Sequence, residues 1–185
     1  MTLILILIVV AIIVVAVISI YNKLVRLRNT VKSSWSDIDV QCKKRYDLVP
    51  NLVETVKGYA AHEKSVFEKV TQARSMAMQA SSPGEVAKAE NMLRDTLKSL
   101  FAVAEAYPEL KANANFQQLQ TQLQELENSI ESARRYYNAV VRDYNTMTES
   151  FPSNLIASQF KFEKAEFFEL EEPTAERKAP KVSFS

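Results

Sequence analysis

The sequence predicts an all-α protein, with an N-terminal transmembrane helix continuing into a long antiparallel four-helix bundle. Three observations carry that expectation. The first twenty residues form an uncharged, almost wholly apolar run. Apolar side chains then recur at helical spacing through most of the chain. Only two glycines, Gly58 and Gly84, occur in 185 residues, which leaves little room for the turns that strand architectures need.

From Thr2 to Ile20 only Thr2 and Ser19 are polar, and the first charge is Lys23. As a helix rising about 1.5 Å per residue this run spans roughly 28 Å, close to the hydrocarbon thickness of about 30 Å. A cleaved signal peptide would show a basic start, a shorter core and a small-x-small site. Met1 and Thr2 carry no basic side chain, and Ala16-Val17-Ile18 puts a bulky residue at a small position. Residues 1–20 are therefore expected to be a retained anchor. Lys23, Arg26, Arg28 and Lys32 follow it with no acid before Asp37. That basic flank favours a single-pass protein with its N-terminus outside and its bundle in the cytosol. Setting topology is the simpler role for these four cations; contact with anionic lipid head groups is the other.

After the span, Leu24, Leu27, Val31, Trp35, Ile38, Cys42, Tyr46 and Val49 repeat at steps of three and four, one face of a helix. No breaker separates this stripe from the membrane segment, so one continuous rod is expected. Pro50 then removes a backbone donor and disfavours helix at Val49. A kink or a full reversal is expected there, with Pro50 opening a second helix. Leu52, Val56, Tyr59, Phe67, Val70 and Ala73 line that helix to about Ala80, with Gly58 in its interior at about 1 kcal/mol relative to alanine. Ser82-Pro83-Gly84-Glu85 reads as a capping box opening a third helix, lined by Val86, Ala89, Leu93, Leu97, Leu100 and Ala104 and closed before Tyr107-Pro108. Asn115 with Gln118 suggests a second capping box. Phe116, Leu119, Leu123, Leu126, Ile130, Ala133, Tyr137, Val140, Tyr144, Met147 and Phe151 then alternate steps of three and four up to Pro152. A mean step of about 3.5 implies coiled-coil packing, within one chain or between chains. The bundle is thus assigned to residues 21–152.

An extension over 153–170 carries Phe160, Phe162, Phe167 and Phe168. These rings either plug the open end of their own bundle, the simpler role, or dock on another chain. Residues 171–185 are charged, contain Pro173 and Pro180, and are expected to be disordered.

Catalytic motifs are missing. His62-Glu63 would begin H-E-x-x-H, but Val66 stands where the second histidine belongs, so no paired zinc ligands form. No residue three before His62 is acidic, which removes the E-x-x-H pairs of di-metal bundles, and two glycines cannot build a phosphate-cradling loop. Cys42, the single cysteine, falls on the apolar stripe and reads as a small buried hydrophobe. A net charge of +1 argues against a nucleic-acid binder. The polar residues singled out are Arg45, Asp47, Arg134 and Asn138, either as contacts that fix helix register, with Arg45 and Asp47 reaching Arg134, Arg135 or Asn138, or equally as a solvated face. Neither an enzyme nor a cofactor is expected.

Several blocks resemble the LemA family. They are Tyr21-Asn22-x-Leu24-Val25-x-Leu27-Arg28-Asn29, Trp35-Ser36-Asp37-Ile38-Asp39-Val40, the run from Arg45 to Tyr59, and His62-Glu63. Further on come Glu105-Ala106-Tyr107-Pro108-x-Leu110-Lys111-Ala112-Asn113, Phe116-x-x-Leu119-Gln120, Glu127-Asn128-x-Ile130, Ala133-Arg134-Arg135-Tyr136-Tyr137-Asn138, Asn145 and Phe151-Pro152. Cys42 departs from it, leucine being commoner there. The resemblance implies a bacterial membrane-anchored helical bundle without an assigned enzymatic activity, with relatives tied to magnetosome membranes or envelope proteases. The expectation is a non-enzymatic scaffold that self-associates at the cytoplasmic face of the inner membrane, a homo-oligomer with other envelope proteins as further partners. The alternative is an adaptor or sensor that presents partners to a membrane protease or signalling protein through its aromatic strip.

Overall fold

The computed structural model describes residues 1–169; the expected disordered tail over 171–185 lies outside them. The elements are α1 (Thr2–Lys57), α2 (Lys64–Gln79), α3 (Pro83–Glu105), α4 (Pro108–Lys111), α5 (Ala114–Glu149) and α6 (Ser153–Gln159). There is no strand among the described residues. Two compact units can be distinguished. One takes Met1–Val40 and Ile130–Phe167, and the other takes Gln41–Ser129 with the described residues from Phe168 onward.

The continuous rod expected after the span is present, and it runs further than Pro50. That correction has a visible cause. A proline at 50 cannot donate to the carbonyl of Tyr46, four residues earlier, and an unfilled acceptor there would favour a break. Arg74 of α2 supplies the missing donor, its Nε lying 2.6 Å from the Tyr46 carbonyl oxygen. With that acceptor satisfied, Pro50 sits exposed inside α1, and the helix carries Leu52, Val53 and Val56 into the core. The helix ends instead at Lys57, and Gly58–Glu63 connects α1 to α2. Gly58 therefore lies just past a helix end, not inside a helix. A Cβ there would meet only the Thr55 and Glu54 carbonyls at 3.5 and 3.8 Å, so the turn does not require glycine.

The Ser82 box forms as expected. Glu85 N–H donates to Ser82 Oγ at 3.2 Å and Ser82 N–H to Glu85 Oε2 at 3.3 Å, with Pro83 opening α3. The Ser81 and Ser82 N–H groups hold the Glu85 carboxyl below its usual range. The second box does not form. Asn113, not Asn115, caps α5, its Oδ1 accepting from Phe116 N–H at 3.0 Å. The chain enters that cap through α4, a single turn before it.

The core of the Gln41–Ser129 unit is built from Cys42, Tyr46, Val49 and Val56 of α1, Val70 and Ala73 of α2, Leu93, Leu97 and Leu100 of α3, and Phe116 and Leu123 of α5. In the other unit Leu24, Val31 and Ile38 of α1 and Ile130, Tyr137, Val141 and Tyr144 of α5 are buried, and the Trp35 and Tyr137 rings meet at 5.5 Å.

If Arg74 is what carries α1 past Pro50, Arg74→Ala should cost about 1.5–3 kcal/mol, the range for a hydrogen bond to a charged group. Pro50→Ala in the same background restores an N–H to Tyr46 and should recover most of that loss. Denaturant unfolding of the detergent-solubilised protein measures both.

Candidate functional site

Two polar constructions stand out from the apolar packing. The first is buried in the Gln41–Ser129 unit. Arg45, almost fully buried on α1, pairs through Nη2 with the Glu90 carboxylate of α3 and through Nη1 with Glu127 of α5. Tyr46 donates its hydroxyl to Glu90 Oε1 at 2.5 Å. One cation thus holds two carboxylates on two other helices. A buried ion pair adds little net stability, because desolvation offsets attraction, but it penalises any register that leaves one charge alone.

Arg45 was singled out by sequence, but its partners were not. Glu90 and Glu127 take the place of the expected Arg134, Arg135 or Asn138. Arg135 instead pairs with Glu131 one turn away on its own helix at 2.8 Å. Asp47 is exposed, and Arg134 and Asn138 are half-buried on α5. The signal for Glu90 was present. Val86, Glu90, Leu93, Leu97 and Leu100 step by four and three, so a carboxylate occupies a place on the apolar stripe.

The second construction is the C-terminal extension, in the unit that contains the apolar span. Ser153 Oγ donates to the carbonyls of Met147 and Ser150 at 2.6 and 2.9 Å, which ties α6 to the end of α5. The Phe151–Pro152 peptide is cis. At the far end of α6, Phe162 N–H donates to Ala157 O at 2.9 Å and Lys161 N–H to Ser158 O at 3.2 Å. Lys161 takes a left-handed φ of 54°. This is a Schellman stop, formed without the glycine that would mark it in sequence. It swings the chain back along α5.

The returning strip is gripped mainly through its backbone. Tyr144 donates its hydroxyl to Glu163 O and Tyr137 to Glu166 O, both at 2.8 Å. Between them Asn145 makes two bonds to one residue, Nδ2 to Ala165 O at 2.9 Å and Ala165 N–H to Oδ1 at 2.8 Å. The spacing explains the fit. Seven residues of helix from Tyr137 to Tyr144 rise about 10.5 Å, and three residues from Glu163 to Glu166 cover about 10 Å when fully extended. The strip is therefore extended and runs antiparallel to α5. Burial raises the hydroxyl pKa of both tyrosines; Glu166 adds to this at Tyr137, while at Tyr144 Arg28 opposes it and Glu163 adds to it.

Of the four phenylalanines, Phe160 packs edge-on against Tyr21 at 4.8 Å and Phe162 against the same ring at 5.7 Å. Phe162 and Phe168 are buried, whereas Phe160 and Phe167 stay substantially exposed. The strip from Phe160 to Glu166 thus lies on its own chain. Of the four basic residues after the span, Arg28 stacks over the Phe162 ring at 4.9 Å. Lys23 lines an open cavity, and Arg26 and Lys32 are exposed. Among the described residues no group of three His, Cys, Asp or Glu side chains is placed to hold a metal, and His62 lies in the turn before α2.

Glu90→Ala should lower stability by about 3–5 kcal/mol, the cost of stranding a buried partner, and Arg45→Met with Glu90→Leu should recover most of it; denaturant unfolding checks both. Asn145→Ala should free the strip, so that trypsin cuts at Lys161 and Lys164 much faster than in the parent. The tyrosine grip should also weaken in alkali. Because the folded hydroxyl pKa values lie above the unfolded value of about 10, this stabilisation is complete below that pH and is lost as pH rises through the folded values.

The LemA family model matches residues 34–184. The chain is 26% identical over 175 residues to magnetosome protein MamQ 2 of Paramagnetospirillum magneticum, covering 80% of this chain and 64% of that one. It is 26% identical over 155 residues to protein LemA of Metamycoplasma hominis, covering 82% and 69%. To magnetosome protein MamQ of Magnetospirillum gryphiswaldense it is 24% identical over 174 residues, covering 80% and 64%. The match thus spans less than two thirds of the length of these magnetosome relatives. The family match begins within α1 and takes in α2 to α6 and the docked strip, and on that extent the chain belongs to the LemA family.

Proposed function

We propose that this protein is a non-enzymatic, membrane-anchored scaffold that self-associates at the cytoplasmic face of the bacterial inner membrane, organising membrane or envelope proteins there. The observation that carries the reading is the continuity of α1. One helix of 56 residues joins the apolar span to Lys57. Whatever binds the soluble part is then held without a flexible linker. The basic flank at Lys23, Arg26, Arg28 and Lys32 supports the cytoplasmic side. Within the Gln41–Ser129 unit, segments of α1, α2, α3 and α5 would run as an antiparallel four-helix bundle, and the Arg45 pairs support that packing. The magnetosome names of two relatives agree with a part in ordering a membrane compartment.

Much of the α5 seam is covered within one chain. Phe116, Leu123, Ile130, Tyr137, Val140 and Tyr144 are already buried in one chain. Self-association would use the bare span, or the exposed Met76 and Met92, which line a shallow groove formed by α2 and α3. The adaptor reading assigns recognition to the aromatic strip, and the strip is occupied by its own helices.

Light scattering of the full chain in nanodiscs, together with cross-linking in native membranes, tests the scaffold. A discrete oligomer in both is the expected result. A monomer in both at native abundance would overturn it.

A further inference from the structure

The apolar span ends at Ile20, and the side chains around that level are the informative ones. Leu3 to Val15 are all exposed, and Val17 and Ile20 are the first residues of α1 to be partly covered. Beside them lies an open cavity of about 660 Å³, lined by Ser19, Ile20, Lys23 and Leu27 of α1 and by residues from Arg142 to Ser153. Pro152 and Ser153, which open α6, share that lining with Ser19 and Ile20. The other end of α6 returns to the same level, where the Phe160 ring sits on Tyr21.

The seven residues of α6 thus lie beside the first turns of α1 past the span, since the cavity that Pro152 and Ser153 line takes in Ser19 to Leu27 and Phe160 meets Tyr21. For an α1 that crosses a bilayer, those turns begin at the depth where the span leaves the hydrocarbon.

The side chains fit that position. Ser153 and Ala157 are buried, while Phe151 is 80% exposed, Leu155 60% and Phe160 51%. Three large apolar groups are therefore exposed beside the end of an apolar span, with Lys23, Arg142 and Asp143 close by in the cavity wall. Exposed apolar side chains with cations nearby are the composition of interfacial elements, and aromatic rings concentrate at that depth.

We propose that α6 and its flanks form a second membrane contact, with Phe151, Leu155 and Phe160 seated at the boundary between head groups and acyl chains. The occupant of this apolar surface is the bilayer that α1 crosses, so the inference rests on the anchor reading. Two contacts, a span and a surface helix, fix the rotation of α1 about its own axis, which a span alone leaves free.

The test uses the full chain in nanodiscs of phosphatidylcholine and phosphatidylglycerol, with acyl chains brominated either near the head groups or near their ends. Leu155→Trp is compared with the parent, whose one tryptophan is Trp35, and with Val10→Trp inside the span. Phe151→Trp replaces Leu155→Trp if the latter fails to fold. The expected result is loss of the added emission to lipids brominated near the head groups and little loss to aqueous iodide. Quenching of the Leu155→Trp emission by iodide and not by lipid would overturn the proposal, as would protection from both, which would place a second protein surface over α6. If Val10→Trp also escaped both brominated lipids, the anchor itself would fail; a quenched Val10→Trp beside an unquenched Leu155→Trp would sink only the α6 contact.

Discussion

The backbone of α1 lacks one donor, at Pro50, and much of the Gln41–Ser129 unit depends on how that loss is met. Without a partner the Tyr46 carbonyl would favour water, and a helix end near Val49 would follow. The Arg74 guanidinium reaches it from α2 at 2.6 Å. The bond does two things at once. It preserves the helix through two further turns, which bury Leu52, Val53 and Val56, and it ties α2 to α1 at a defined height. The same stretch holds Arg45 and Tyr46, the residues that meet Glu90. An interrupted helix would move those two side chains off the faces from which they reach α3.

Register is thus set by polar groups in a core that apolar side chains alone would pack in several ways. Leucine and alanine stripes with a mean step near 3.5 tolerate slippage by a heptad. A buried cation with two carboxylates on two different helices does not, because each wrong register strands at least one charge. The strip in the other unit is handled differently. Tyr137, Tyr144 and Asn145 bond its main chain, and such contacts fix direction and extension whatever the strip's own side chains are. Sequence specificity enters through Phe162, held between Tyr21 and Arg28.

Much of the fold was legible in the sequence because its signals are local. The apolar span, the Ser82 box and the α5 stripe each announce themselves within a few turns. What was not legible depended on groups far apart in the chain. Pro50 reads as a break unless one knows of Arg74. Yet the stripe itself hinted at continuity, since Val49, Leu52 and Val56 keep the same steps of three and four. Asn115 has the glutamine three residues on that a capping box needs, whereas Asn113 is followed at that place by Phe116 and caps α5 by its side chain alone. Lys161 in a left-handed conformation leaves no trace in composition. At the candidate site, Arg45 was found because a charge on an apolar face is conspicuous. Glu90 satisfies the same criterion, and applying the test to every stripe would have paired them.

The fate of the aromatic extension bears most directly on function. A run with four phenylalanines in nine residues suggests a reader of other proteins when seen as a sequence, because its apolar groups lack an obvious place. The structure gives Phe162 and Phe168 buried positions and leaves Phe160 and Phe167 half out. For a partner to take the strip it would first have to replace the bonds from Tyr137, Tyr144 and Asn145 and the packing of Phe162. Each is modest, but they act on one short segment and are lost together. The strip is better suited to bracing the membrane-proximal ends of α1 and α5 than to capturing a client. Such a brace would place stiffness at the end of the apolar span, where the scaffold proposed above would need it.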